Sequence, residues 1–346
     1  MSEKLHTLTK KDYSSGSDVK WCAGCGDFAV LTQVQKVLAE IGRPPEEYAF
    51  ISGIGCSSRF PYYMGTYGYH TIHGRALAVA TGTKTFNPDL SVWVAMGDGD
   101  SISIGGNHFI HTIRKNLDIV CIVIDNQIYG LTKGQFSPTS IKGQVTKTSP
   151  SGKRSLPMDP VALALGAGVN FVARTIDRRP KQLAEVLHKA YEHKGFSLVH
   201  VLQNCIIFNN GAHDDITNKE TRDEHSLILV DGEPMIFGKN KDKAIVLEGL
   251  NPKVVNRNFV DESQILIHHE RAKEPGLALL LASMRAGKFA GSKTVEKFPI
   301  PMGVLRNVEE ETYDSITTEQ VEKSIALKGK GDLQSMLNSG DTWEIN

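Results

Sequence analysis

The chain has 346 residues, 39 basic and 39 acidic side chains, and is 40% hydrophobic. Balanced charge gives nucleic acid no general electrostatic hold on the surface, and no stretch approaches the roughly 20 apolar residues of a membrane span. The length suggests about two domains, with enough apolar content for a sizeable core.

The opening residues, Met-Ser-Glu-Lys-Leu-His, lack the apolar run of a signal peptide, so a cytoplasmic protein is expected. Five cysteines are too few, and odd in number, for a secreted disulfide framework. Val30, Leu31, Val34, Val37, Leu38 and Ile41 recur at helical spacing and predict a helix over 27–41, ended by Gly42 and Pro44. Residues 48–53 read as a short buried strand, 74–85 as a small-residue helix, and 91–96 as a second buried strand. A helix over 103–116 and a third strand over 119–124 follow. A loop rich in Gly, Thr, Ser and Pro runs from Gly130 to about Pro157. Residues 180–192 predict another helix and 196–202 a fourth strand. Continuous apolar strands separated by helices predict an α/β fold with a mainly parallel sheet covered on both faces. Near residue 215 the texture changes. The expected division is therefore 1–214 and a C-terminal extension over 215–346, with a buried helix over 275–286 and a final helix over 317–328.

Ligands in such sheets collect at the carboxyl ends of strands. Gly97-Asp98-Gly99 and Asp125-Asn126 both lie there. Glycines let backbone N–H groups approach a diphosphate closely, and the helix opened by Gly99 favours an anion at its N-terminus. A carboxylate needs a bridging cation beside phosphate. Asp98 and Asn126 supply hard oxygens for Mg²⁺, and the Ile128 carbonyl can complete the protein side. Gly-Asp-Gly alone reads equally well as a strand-to-helix turn. With an asparagine one βα unit later, it looks like the thiamine diphosphate motif.

Cys22-Ala-Gly-Cys25 is a tight chelating turn, compatible by itself with a zinc knuckle, a redox dithiol or chance. Zinc wants a second tight pair or histidines, whereas Cys56 and Cys205 are single and remote; a four-thiolate [4Fe–4S] site tolerates that pattern. Both lie just after strands, on the side of Gly97. Cys121, mid-strand between Val120 and Ile122, reads as a small buried hydrophobe.

Taken in order, Trp21-Cys-Ala-Gly-Cys-Gly, Gly53-Ile-Gly-Cys-Ser, His70-Thr-Ile-His-Gly-Arg-Ala, Gly97-Asp-Gly-Asp and the run from Asp125 to Thr139 resemble the β subunit of 2-oxoacid:ferredoxin oxidoreductases, especially the 2-oxoglutarate type. The resemblance covers roughly residues 10–210. It implies a three-layer thiamine-diphosphate-binding fold with Cys22, Cys25, Cys56 and Cys205 on one [4Fe–4S] cluster, and Asp98, Asn126 and the Ile128 carbonyl on Mg²⁺. It implies Ile54, Gly55, Cys56, Ser57, His73, Gly97, Gly99, Asp100, Gly130 and Leu131 along the thiamine diphosphate. It also implies CoA-dependent oxidative decarboxylation of a 2-oxo acid with ferredoxin as electron acceptor, a reaction that can run backward as a carboxylation. Its activating glutamate belongs to a partner α subunit, so the assembly is a heterodimer or a dimer of heterodimers, inactive as this chain alone.

Two cations are substrate candidates. Lys133 stands where pyruvate enzymes of the family often have glycine, and it suits the distal carboxylate of 2-oxoglutarate. Arg59 is a second anion contact. The plainer readings are ordinary loop charges or contacts to CoA phosphates. His70 and His73 flank a loop, with His73 the nearer to the cofactor. The Lys239–Lys243 run reads as a solvated loop, with ferredoxin docking the minor alternative. Rival functions are a non-redox thiamine decarboxylase or synthase, a pyruvate or broad-range enzyme of the same family, and a zinc-stabilised scaffold.

Overall fold

A computed structural model gives the architecture and describes residues 8–286 and 298–345. Helix α1 (Asp27–Ile41) buries Val30, Leu31, Val34, Val37 and Leu38. Gly42 ends it in the left-handed conformation (φ 76°), its N–H donating to the Leu38 carbonyl. Strand β1 (Tyr48–Ser52), edge strand β2 (Tyr67–His70) and helix α2 (Ala76–Phe86) follow. Next come β3 (Ser91–Gly97), α3 (Gly106–Lys115) and β4 (Ile119–Asp125). The long polar loop leads to α4 (Pro160–Gly166), β5 (Phe171–Ile176), α5 (Pro180–Glu192) and β6 (Phe196–Leu202).

Later residues add β7 (Ser226–Ile228) and a small antiparallel sheet of β8 (Ile236–Phe237), β9 (Lys243–Glu248) and β10 (Asn251–Asn256). Helix α6 (Gly276–Ala286), β11 (Ile300–Asn307), α7 (Tyr313–Lys328) and α8 (Leu333–Leu337) complete the chain. The main sheet has the order β2-β1-β3-β4-β6-β5-β11-β7. Its first six strands run parallel; β11 pairs antiparallel with β5 and parallel with β7.

Strand β4 shows why its sequence is apolar throughout. Ile119, Cys121 and Val123 face a core built with α2, α3, α4 and α6. Val120, Ile122 and Ile124 face the opposite core, built with α1 and α5. Each fully buried branched side chain contributes about 1.5–3 kcal/mol. Cys121 is buried in this packing, as its position between valine and isoleucine predicts.

Three strands of the main sheet escape the apolar pattern. Strand β2 is exposed along its length. Strand β5 contains buried Arg174, whose guanidinium is balanced by Asp159 at 2.9 Å. Strand β11 carries Pro301, Gly303 and Arg306, and it belongs with β7 to the stretch beyond residue 215. The texture change at that residue therefore does not coincide with an end of the sheet. The Lys239–Lys243 run is not wholly solvated, since Lys243 lies 2.5 Å from Glu224. No helix among the described residues is long and apolar enough to cross a membrane.

Candidate active site

Strands β1, β3, β4 and β6 are consecutive neighbours, and their carboxyl ends form one rim. Gly97 pairs with Ile124, so Asp98 and Asn126 leave adjacent strands side by side. A cavity of about 110 Å³ opens between these ends. Ile54, Gly55, Cys56 and Ser57 line one wall, Gly97, Asp98, Gly99 and Asp100 the next, and Asn126, Ile128, Gly130 and Leu131 a third, with His73 alongside. Gly55 adopts φ 116°, a left-handed value that favours glycine. Gly99 is required by contact: a Cβ there would fall on the Tyr129 ring.

Asp98 is 3% exposed, and burial together with the Asp125 charge pushes its carboxyl up to about 7. The Thr139 hydroxyl lies 2.5 Å from Asp98 Oδ2 and 2.7 Å from Asp125 Oδ1. One hydroxyl hydrogen serves only one of them. His200 Nε2 stands 2.9 Å from Asp125 Oδ2, whereas among the described residues no cationic side chain lies within ion-pair distance of Asp98, and a divalent ion beside Asp98 fits the need this leaves. Asn126 Oδ1 accepts from the Ile128 N–H at 3.1 Å and keeps a second lone pair. The donor set (carboxylate, amide oxygen, backbone carbonyl) is the hard-oxygen chemistry of Mg²⁺.

Asp100 ties three segments together. Its Oδ1 accepts from Gly74 N–H at 2.7 Å and Ile54 N–H at 3.2 Å, and lies 2.5 Å from His73 Nδ1. Its Oδ2 is buried without a partner. The chain then makes one π-helical turn over Asp100–Ile104 before α3, a local irregularity frequent at functional sites.

A second cavity, of about 200 Å³, adjoins the first and shares Asp27, Cys56, Asn126, Gly130 and Leu131 with it. All four sequence-predicted cysteines, Cys22, Cys25, Cys56 and Cys205, line it, and none is in a disulfide. The Cys25 N–H donates to the Cys22 carbonyl at 3.0 Å, closing the turn. The Gly26 N–H reaches the Asn204 carbonyl at 3.3 Å, and Trp21 Nε1 donates to the Cys56 carbonyl at 2.8 Å, so three segments are laced together. Gln203 Nε2 donates to Cys25 Sγ at 3.2 Å. A Cβ on Gly130 would lie 3.5 Å from Cys205 Sγ and 3.7 Å from Cys56 Sγ.

Burial, with Asp27 adding to it, pushes the Cys56 thiol up to about 12 and the Cys25 thiol far up as well. Thiolates here need a cationic core to offset them. Among the described residues, no three His, Cys, Asp or Glu side chains converge on a single metal ion. The cavity that the cysteines line, together with twelve other residues, is many times the roughly 10–15 Å³ that one water requires. Four thiolates lining one cavity are the donor set of a polynuclear iron group as well as of a tetrahedral zinc ion, whose ligands would meet within about 2.0–2.3 Å of one point.

Arg59 and Lys133 line the cysteine cavity, not the Gly97–Gly99 cavity, with Lys20 beside them. Lys133 holds φ 74° in the tight turn after Tyr129, an uncommon conformation for a residue with a Cβ. Sequence reasoning assigned no role to Thr139, Asp27 or Tyr129. Asp27 is 1% exposed, lines both cavities, and is pushed up to about 7 by burial. In the sequence it marks only the start of the helix predicted over 27–41. Thr139 closes the Asp125–Thr139 run that carries the family resemblance, but nothing in that run marks its hydroxyl as a partner of Asp98.

Residues 53–201 match the family model "Thiamine pyrophosphate enzyme, C-terminal TPP binding domain". The chain is 43% identical over 338 residues to the 2-oxoglutarate oxidoreductase subunit KorB of Mycobacterium tuberculosis, covering 97% of this chain and 88% of that one. It is 39% identical over 244 residues to the 2-oxoglutarate synthase subunit KorB of Methanocaldococcus jannaschii, covering 70% and 87%. The solved 2-oxoglutarate:ferredoxin oxidoreductase of Magnetococcus marinus, with 2-oxoglutarate, coenzyme A and succinyl-CoA bound, superposes with TM-score 0.73 at 34% identity, covering 98% of both chains.

Proposed function

The chain belongs to the family of 2-oxoacid:ferredoxin oxidoreductase β subunits, thiamine-dependent oxidoreductases of the KorB type, and from that premise we propose that it carries half of the site that converts 2-oxoglutarate and CoA to succinyl-CoA and CO₂. Ferredoxin is the electron acceptor in this reading, and the reductive carboxylating direction is open to the same site. The observation that carries it is the shared wall between the two cavities. Cys56, Asn126, Gly130 and Leu131 belong to both, so a group that generates electrons and one that removes them would sit in contact.

Asp98, Asn126 and the Ile128 carbonyl hold Mg²⁺ in this assignment, and the Gly97–Gly99 turn offers backbone N–H groups to the diphosphate. Cys22, Cys25, Cys56 and Cys205 hold the [4Fe–4S] cluster. When bound, thiamine diphosphate supplies the electron sink for decarboxylation and the cluster supplies one-electron acceptance. Asp100 keeps His73 and the Ile54 segment in register beside the cofactor. Buried Ile124 and Trp21 give the two cavities apolar wall on the protein side. Lys133 and Arg59 bring positive charge to the lining of the cysteine cavity beside the shared wall, where a dicarboxylate or a CoA phosphate could pair with it. The acid that activates the cofactor comes from an α subunit, and the complex works in the cytoplasm.

Anaerobic co-purification with an α subunit tests the assignment. The expected result is a brown complex with about four irons per β chain that reduces viologen only with CoA and a 2-oxo acid, best with 2-oxoglutarate. A colourless complex that decarboxylates without an electron acceptor supports the non-redox alternative instead.

A further inference from the structure

Lys153 is 3% exposed, and among the described residues no carboxylate lies within ion-pair distance of it. A buried ammonium is costly unless its hydrogens are used. All three are: Nζ donates to the carbonyls of Ser137 at 3.1 Å, Pro138 at 2.8 Å and Ser140 at 2.8 Å. These carbonyls belong to one tight turn. The Ser137 N–H donates to Ser140 Oγ at 2.8 Å, and that hydroxyl donates to the Gln127 carbonyl at 2.5 Å, which anchors the turn to the end of β4. Inside the turn sits Thr139, fully buried, with its hydroxyl on both Asp98 and Asp125.

We propose that Lys153 is a positioning residue for the cation site: its ammonium gathers three carbonyls of the Ser137–Ser140 turn so that the Thr139 hydroxyl fixes the Asp98 carboxylate. The proposal rests on the reading of Asp98 as a Mg²⁺ ligand. Three carbonyl dipoles drawn to one point leave the turn a single conformation. The Thr139 hydroxyl, held in that turn, then meets the buried Asp98 carboxylate in one geometry. Lys153 is 14 residues beyond Thr139, so the segment between them is the part of the long polar loop that carries this device. The positive end also lies close enough to Asp98 for the two charges to favour one another.

The test is a double-mutant cycle on the complex with its partner subunit, read as the Mg²⁺ concentration for half-maximal thiamine diphosphate binding by titration calorimetry. Lys153→Met and Thr139→Val are each expected to raise it about 10–100-fold, the usual effect of losing an outer partner of a metal ligand. The double variant is expected to be no worse than the weaker single, because both changes remove one device. Thr139→Ser, which keeps the hydroxyl, is expected to stay within about threefold of wild type. Additive effects overturn the proposal, as does a Lys153→Met protein with lowered Tm and unchanged Mg²⁺ half-saturation. Where Lys153→Met does not purify, wild-type half-saturation in Thr139→Val overturns it equally. Asp98→Asn separates the two readings. If it keeps wild-type Mg²⁺ dependence, the cation assignment itself fails; if it loses binding while Lys153→Met does not, only the positioning role fails.

Discussion

Cys205 is the most remote of the four cysteines in sequence, and it reaches the others only because β6 lies beside β4. Cys205→Ser replaces a soft thiolate with a hard hydroxyl, so iron per chain is expected to fall from about four to below one. Thiamine diphosphate affinity should stay within about threefold, since no cofactor-side contact changes. Iron analysis beside calorimetry checks both halves, and full iron in the variant removes Cys205 from the ligand set. Lys133 offers a second single-residue test. Losing a charge-assisted hydrogen bond is worth roughly 1.5–3 kcal/mol, or about 10–100-fold. Lys133→Ala is expected to raise KM for 2-oxoglutarate by that factor and for 2-oxobutyrate hardly at all. Equal increases for both acids would assign Lys133 to CoA or to the loop.

At the scale of elements, β4 is the pillar of the sheet, packed on both faces. Ile122→Ala removes a fully buried branched side chain, and the expected cost is about 2–5 kcal/mol in denaturant unfolding. Strand β11 is held more conditionally. The His268 ring donates from Nε2 to the Val304 carbonyl at 2.8 Å and leaves Nδ1 buried without a partner. His193, which meets Asn307 at 3.1 Å through Nδ1, leaves Nε2 in the same state. Burial holds both imidazoles below their usual value of 6.5. As pH falls below 6.5 the unfolded chain takes up protons that the folded one refuses, so stability is full above 6.5 and declines beneath it. Tm is expected to drop between pH 7.5 and 5.5, and the drop should shrink in His268→Gln. An unchanged slope in that variant would show that His268 does not contribute.

For the molecule as a whole, the cofactor's activating acid is expected from another chain, so this subunit alone should bind thiamine diphosphate and iron yet turn over no substrate. Mixing it with a matching α subunit should restore CoA-dependent viologen reduction, whereas turnover by the isolated chain would refute the divided site. How much of this was legible varies residue by residue. Asp98, Asn126, Cys56 and Cys205 were visible because they follow strand ends, and Cys22 and Cys25 because they form a Cys-x-x-Cys turn before α1. Strand β5 was hidden by Arg174, whose charge reads as exposure until Asp159 is seen against it. Strand β11 was hidden by Pro301 and Gly303, which an antiparallel strand beside the parallel region accommodates. Thr139 and Lys153 were hidden because their partners are backbone carbonyls and carboxylates far away in sequence.

The linear chain by itself determined the alternation of apolar strands with helices and the class of fold, because both depend on local periodicity, and it supplied the residue types on which the two proposed metal sites rest. Only the tertiary structure decided that the four cysteines line one cavity and that this cavity shares a wall with the Gly-Asp-Gly rim. It alone also brought Arg59 and Lys133 to the sulfur side and assigned the late strands to the main sheet. Those facts depend on strand order and on buried charge pairs, which form only when segments far apart in sequence exclude water together.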